Sequence, residues 1–198
     1  LFFYPGMDLG YRLNQNLKLY SNIGYTYRIP TYTDLFYSSP TTLGNENLKL
    51  EKALTKEFGL KYLKNNFNLS MSLYQRDASD IIDYVKNNEA EPWQASNIRE
   101  IITNGFELSM GYKFYLGAFR PHSINIGYSN INDDLLETDF AFSRYALNSL
   151  KNQITATYMF QVRDFISSTI SFKNSKRLND EGYTLIDFRT SYICDKFT

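Results

Sequence analysis

The 198-residue chain contains one cysteine, one histidine and one tryptophan, and each scarcity removes a class of chemistry. With Cys194 alone, neither a disulfide framework nor a thiolate metal centre can form within the chain. With His122 alone, a serine–histidine–acid triad would have to be built around that one side chain. No nucleophile elbow, phosphate-binding loop or zinc-spaced ligand set is present, so no enzyme active site is expected, and no cofactor or metal site. Positive and negative side chains balance at 21 each, which argues against a nucleic-acid partner. No apolar run approaches the roughly 18 residues that a membrane helix needs. That excludes a helical span; it does not exclude crossing by strands, whose apolar residues are interleaved with polar ones.

What the chain has is aromatic residues, 17 Tyr and 15 Phe, together with a negative mean hydropathy of -0.41. The two coexist through a two-residue rhythm. In residues 106–114, Phe106, Leu108, Met110, Tyr112 and Phe114 alternate with Glu107, Ser109, Gly111 and Lys113. In residues 67–73, Phe67, Leu69, Met71 and Leu73 alternate with Asn68, Ser70 and Ser72. Successive strand side chains point to opposite faces, so each segment has one apolar and one polar face. The same rhythm places nine strands, at about 4–13, 17–28, 51–64, 67–76, 97–115, 122–131, 147–160, 165–173 and 183–193. Connections alternate between short (14–16, 65–66, 116–121, 161–164) and long (29–50, 77–96, 132–146, 174–182). Alternating short turns and long loops build an up-and-down meander through a membrane, with the short turns on the periplasmic side.

Parity supports that reading. The apolar face carries no charged residue in the central part of any strand. The opposite face carries Asp8, Arg12, Lys18, Arg28, Glu57, Lys61, Arg76, Glu107, Lys113, Asp187 and Arg189, and seven of the ten glycines. These glycines suit either a wall lined by small groups or simple relief of strand curvature. Globular strands are usually about five or six residues, shorter than these. Ten residues at about 3.3 Å, tilted near 45°, span about 23 Å, the height of a barrel's lipid band. Tyr11, Tyr62, Phe67, Tyr112, Phe114, Tyr158, Phe160 and Tyr192 gather at the short turns, as aromatic residues do at a membrane interface. The expected fold is all-β, an antiparallel up-and-down transmembrane β-barrel.

Residues 27–62 carry a motif in three parts: Arg28, Pro30, Asp34, Leu35 and Phe36; then Gly44, Asn45, Leu48 and Glu51; then Glu57 and Gly59. Asn97-Ile98 and Gly105-Phe106-Glu107 follow, and residues 184–192 read TLIDFRTSY. In this order the segments resemble the TonB-dependent outer-membrane receptors. The resemblance implies a fragment of a roughly 22-stranded barrel, about nine strands from its C-terminal part, with residues 1–198 lacking the plug domain, the TonB-binding box and the closing strands. It also implies active uptake of a scarce chelate or cofactor, a ferric siderophore or cobalamin. The implied partners are outer-membrane lipid, the receptor's own plug domain, the TonB complex and a small-molecule chelate. The family's usual haem-ligating histidine has no counterpart in residues 29–50, which disfavours haem.

Tyr32, Phe36 and Tyr37 in one long loop and Trp93 in another are the candidate ligand contacts; packing between loops is the competing role for each. Arg28, Pro30, Asp34, Asn45, Glu51, Glu57, Gly59, Gly105 and Glu107 are expected to be structural. Asp77, Asp80 and Asp83 read as a solvated acidic loop, and His122 as a polar turn residue. Two other classes stay open. An outer-membrane barrel enzyme would show catalytic side chains near the outer loops. A soluble secreted all-β binding module would be recovered in the aqueous fraction without detergent.

Overall fold

The computed structural model describes residues 3–117, 120–136, 140–144, 150–178 and 181–193. Nine long strands form one antiparallel sheet in simple meander order. They are β1 (Gly6–Arg12), β2 (Leu17–Arg28), β5 (Glu51–Lys64), β6 (Phe67–Lys86), β7 (Trp93–Leu116), β8 (Arg120–Leu136), β10 (Leu150–Arg163), β11 (Ile166–Arg177) and β12 (Tyr183–Tyr192). The long connections hold helix α1 (Tyr32–Phe36) and three two-residue strands: β3 (Ser38–Ser39), β4 (Thr42–Leu43) and β9 (Phe142–Ser143). The nine expected strands are all present. Helix α1, by contrast, has no counterpart in the periodicity, because five residues are too few to show one.

The short turns follow local chemistry. The Asn14 carboxamide oxygen accepts from the N–H groups of Asn16 and Leu17, closing the β1–β2 turn. Asn65 (φ 51°) and Gly117 (φ 41°) supply the left-handed residues of the next two turns.

Register fixes the tilt. One row of laterally paired residues runs Leu17, Tyr62, Leu69, Met110, Ile126, Ala156, Phe172 and Ile186. The last pairs of successive hairpins are Arg12–Lys18, Lys64–Phe67, Leu116–Arg120 and Arg163–Ile166. Relative to the row, these turns descend by about one residue per strand, about 3.3 Å for every 4.8 Å of sheet width, which is a tilt of about 35°.

Pairing also sorts the two faces. Leu73, Phe106 and Leu69 share the apolar face with Ile124, Ile154, Ile170 and Phe188. At the short-turn end this face ends in a chain of rings: Tyr112 stacks on Phe114, Phe114 on His122, and His122 on Tyr158 and Phe160. His122 is therefore a member of the aromatic girdle, its Nδ1 2.7 Å from the Tyr158 hydroxyl, and not a polar turn residue. Polar groups within the band pair with each other, as the hydroxyls of Ser168 and Thr190 do at 3.1 Å.

On the polar face two glycines have a specific cause. The Tyr20 ring lies across Gly59 and the Tyr74 ring across Gly105, the residues directly opposite them. A Cβ at either glycine would collide with the ring, and at Gly59 it would also lie 2.6 Å from the Met71 carbonyl oxygen. The Tyr20 hydroxyl then reaches Glu57 at 3.0 Å, whose other oxygen accepts from Asn22 at 2.8 Å.

Strands β6 and β7 continue far past their neighbours, and here the core lies. Residues 77–96 are not an open loop: β6 runs to Lys86 and β7 starts at Trp93. Ile82, Tyr84, Val85, Ala95, Ile98 and Ile101 are buried at this end. Asp83, 1% exposed, accepts from the Ser143 hydroxyl at 2.5 Å and from the Tyr84 N–H at 2.6 Å, so it is no solvated loop residue. Cys194 lies outside the described residues.

Candidate functional site

The long-connection end is where the motif residues meet. Strand β2 ends at Arg28, and Pro30 cannot donate to a further ladder. Thr31 then caps α1 reciprocally with Asp34: the Asp34 N–H donates to the Thr31 hydroxyl at 3.1 Å, and the Thr31 N–H donates to the Asp34 carboxylate at 2.9 Å. This Thr-x-x-Asp capping box is legible in the sequence, and it is the signal by which the helix could have been found. Asp34 also takes the Arg28 guanidinium at 3.4 Å and the Tyr84 hydroxyl at 3.3 Å. Arg28 holds Glu51 at 2.7 Å, and the same Glu51 oxygen accepts the Ile82 N–H at 2.7 Å. One cluster thus joins the end of β2, helix α1, the start of β5 and the top of β6.

The carboxylates respond to that cluster. Burial alone would raise Asp34, but the two hydrogen bonds from Thr31 and the Arg28 charge outweigh it, and the carboxyl titrates below its usual range. Burial likewise opposes ionisation of Glu51; the Arg28 and Ile82 hydrogen bonds and the Arg28 charge again bring it below the ordinary value. The Arg28 guanidinium is held above its usual value, mainly by its hydrogen bond to Glu51.

The chain next turns at Gly44, which packs directly on α1. A Cβ there would lie 2.8 Å from the Leu35 carbonyl carbon and oxygen, so the close approach requires glycine. Asn45 pins the turn: its N–H donates to the Asp34 carbonyl at 2.8 Å and its side chain to the Ala95 carbonyl at 3.2 Å. Strand β4 then runs parallel to β7, with Thr42 opposite Trp93 and Leu43 opposite Gln94. From the other side, β9 pairs with β6 through Val85–Ser143 and Lys86–Phe142. These two connections cross the β6–β7 hairpin, and each pairs with its far strand. Asp34 meets Tyr84 on one face and Ser143 meets Asp83 on the other, so the hairpin is clasped from both faces.

Between these connections lies a cavity of about 610 Å³, lined by Arg28, Asp34, Tyr37, Ile82, Tyr84 and Arg144, with the hydroxyls of Thr31, Thr33 and Thr42. Its size falls in the range of small-molecule sites. Of the aromatic candidates, Tyr37 lines this cavity, whereas Tyr32 is 79% exposed and lies 5.1 Å from the Phe36 ring on the surface of α1. Trp93 is half-buried at the start of β7, with Lys86 Nζ 4.8 Å and the Arg144 guanidinium 5.9 Å from its ring centre. Arg144 and Tyr84 carried no sequence signal as site residues, since only the crossing connections bring them to the motif. A second concavity, about 370 Å³, lies on the polar face among Tyr20, Glu57, Lys61, Glu107, Ser129 and Thr155. Gly59 and Gly105 lie under their tyrosine rings beside it, and no groups of three or more His, Cys, Asp or Glu that could hold a metal ion occur among the described residues.

Comparison with known proteins agrees with this architecture. The vitamin B12 transporter BtuB of Photobacterium profundum is 26% identical over 92% of this chain and 30% of its own length. The protein of the same name from Vibrio vulnificus is 22% identical over 94% of this chain and 29% of its own. The chain thus spans about three-tenths of these curated relatives. Among solved structures, the siderophore receptor PirA of Pseudomonas aeruginosa superposes with a TM-score of 0.68 at 17% identity, covering 96% of this chain and 33% of PirA. The copper transporter OprC superposes with a TM-score of 0.69 at 16% identity, covering 94% of this chain and 30% of OprC. At such identities the likeness speaks for the fold, that of a receptor β-barrel. The family model described as TonB dependent receptor-like, beta-barrel, matches residues 2–198, and the chain belongs to that family of outer-membrane barrel receptors.

Proposed function

We propose that this chain is barrel wall and outer mouth of an active-transport receptor that takes up a scarce chelate or cofactor, a ferric siderophore or cobalamin. The observation that carries the reading is the family match along residues 2–198. Two relatives named as vitamin B12 transporters favour cobalamin; the siderophore receptor PirA favours an iron chelate by fold alone. The chain corresponds to a late part of the barrel, and its polar face is the lumen against which a plug domain outside residues 1–198 packs. The TonB complex acts through that plug, and the wall itself carries no chemical step. Substrate first meets the clasped β6–β7 hairpin, where Tyr37 in the 610 Å³ cavity is the leading contact, and Tyr32, Phe36 and Trp93, which do not line it, are secondary ones.

The test is growth of a strain deleted for the full-length receptor. Loss of growth restored by free cobalamin, at ample iron, assigns cobalamin. Loss only under iron limitation assigns an iron chelate. Unimpaired growth with unimpaired uptake of labelled chelates overturns the transport reading.

A further inference from the structure

The polar face is divided by charge along the strands. Residues 9–33, 58–76 and 108–132, which contain the lower halves of the β1–β2, β5–β6 and β7–β8 hairpins, hold no Asp or Glu. Glu57, Glu107 and Asp133 of this face all lie higher on the same hairpins. The lower halves instead present Arg12, Lys18, Lys61 and Lys113, all exposed. Arg12 stands directly opposite Lys18, and Lys18 directly opposite Lys61, so three positive side chains share one row across three strands. Directly opposed like charges destabilise a sheet unless a counter-charge sits between them. Among the described residues none of these four cations has an ion-pair partner. Lys61 only leans over the Tyr20 ring, its Nζ 5.2 Å from the ring centre, and a neutral ring does not offset the neighbouring charges.

The same level breaks the polar character of the face. Leu63, two residues below Lys61, is 63% exposed, and Tyr115, two below Lys113, is 61% exposed. Met159 shares a row with Lys113 through Ser123. Lys113, Tyr115, Ser123, Met159, Gln161 and Thr169 line a concavity of about 450 Å³ there. Between this concavity and the Lys18–Lys61 row, Ser70, Ser109 and Gly111 form a floor of small groups. Cations beside exposed Leu, Tyr and Met have the composition of a protein-docking surface, which a free anion would not require. Membrane lipid lies on the other side of the wall. A passing cargo would neutralise the row only in transit, whereas the repulsion is constant, so the counter-charge has to be resident.

We infer that this patch seats an acidic, partly apolar surface of the receptor's own plug domain, which pairs with Arg12, Lys18 and Lys61 at the short-turn end. The inference rests on the receptor reading above and goes beyond it in naming the part of the wall, and the sign of charge, that hold the plug. The test treats the full-length receptor with a water-soluble carbodiimide, which joins an amine to a carboxylate in contact with it. Mass spectrometry is expected to find Lys18 or Lys61 joined to an Asp or Glu of the plug, with a yield that falls several-fold at high salt. The paired variant Lys18→Glu, Lys61→Glu is expected to admit vancomycin through the outer membrane several-fold faster than the parent. Lys64→Glu, the same charge change at the foot of the same strand but on the opposite face, should leave entry unchanged. Heat-modifiable gel mobility reports folding of the variants, and the cross-link in the parent needs no variant. Plug cross-links that avoid both lysines, or equal vancomycin entry in a folded reversal variant and the parent, would overturn the inference. With chelate uptake by the parent intact, those results leave the receptor reading standing; a parent that takes up neither cobalamin nor an iron chelate overturns both.

Discussion

Arg28 is the residue on which most of the outer cluster converges, and its neighbours decide what its loss would do. Its guanidinium is partly exposed, so the ion pairs alone contribute little, about 1 kcal/mol or less. Glu51, however, is mostly buried and would keep only the Ile82 N–H. Arg28→Ala is expected to loosen α1 and the top of β6 by about 1 kcal/mol, read as several-fold faster amide exchange at residues 31–37 and 80–84 with the barrel unaffected. The pH dependence has a definite sign. Asp34 and Glu51 have depressed pKa values, so their contribution is complete above the unfolded carboxyl range and is lost as pH falls through the folded values. Protection of the α1 amides, taken relative to their intrinsic exchange rates, should be flat from about pH 5 to 8 and fall only below about pH 4. At the same scale, glycines that look alike in the sequence differ. Gly59→Ala meets the Tyr20 ring and the Met71 carbonyl, while a Cβ at Gly24 meets nothing nearer than the Gly6 Cα at 3.8 Å. Gly59→Ala is expected to cost about 1–3 kcal/mol in heat stability of the folded barrel, and Gly24→Ala little.

At the scale of elements, the barrel strands were legible and the outer structures were not, for one reason. Below the level of Asp77 the wall has one apolar and one polar face, so period-two alternation survives from Phe67 to Leu73 and from Phe106 to Phe114. Above it the clasping connections cover both faces of the β6–β7 hairpin, and Asp83, Tyr84 and Val85 are buried in succession. Alternation vanishes there, and a strand with aspartates at 77, 80 and 83 reads as a loop. The motif residues of the site were visible one by one, but their partners Tyr84, Ala95 and Arg144 reach them only through connections that cross the hairpin. Asn97 shows how tightly one such connection is held: its side chain accepts from the Lys49 N–H and donates to the carbonyls of Lys49 and Asp80. Asn97→Ala would leave these backbone groups without that partner, and is expected to cost about 1–3 kcal/mol locally. Limited proteolysis should then cut at Lys49 or Lys52 in the variant while sparing the parent, and equal resistance of the two would refute the clasp.

For the whole molecule, the assignment of faces rests on parity, and parity can be tested by charge. Met71 and Ser72 are adjacent on β6, at the same level of the wall; Met71 lies on the apolar face with Leu60 and Leu108, Ser72 on the polar face beside Gly59 and Glu107. If the apolar face meets hydrocarbon, a cation at the middle of the band costs about 2–4 kcal/mol, and that cost falls away toward the interfaces. Met71→Lys is therefore expected to lower the folded, heat-modifiable fraction of the full-length receptor sharply, with Leu108→Lys behaving alike. Lys56 already marks where a cation is tolerated on the same face of β5, above Phe58 and beside Asp77. Ser72→Lys is a different perturbation, because Ser72 is 8% exposed and borders Tyr20. A lysine there has Glu57 and Glu107 within the same concavity and a polar lumen to enter, so barrel assembly should survive it. The two adjacent positions share strand, level and neighbours' backbone, and differ in which side of the wall they face. Assembly lost at 71 and kept at 72 places lipid on one side and the lumen on the other; the reverse order would invert the barrel.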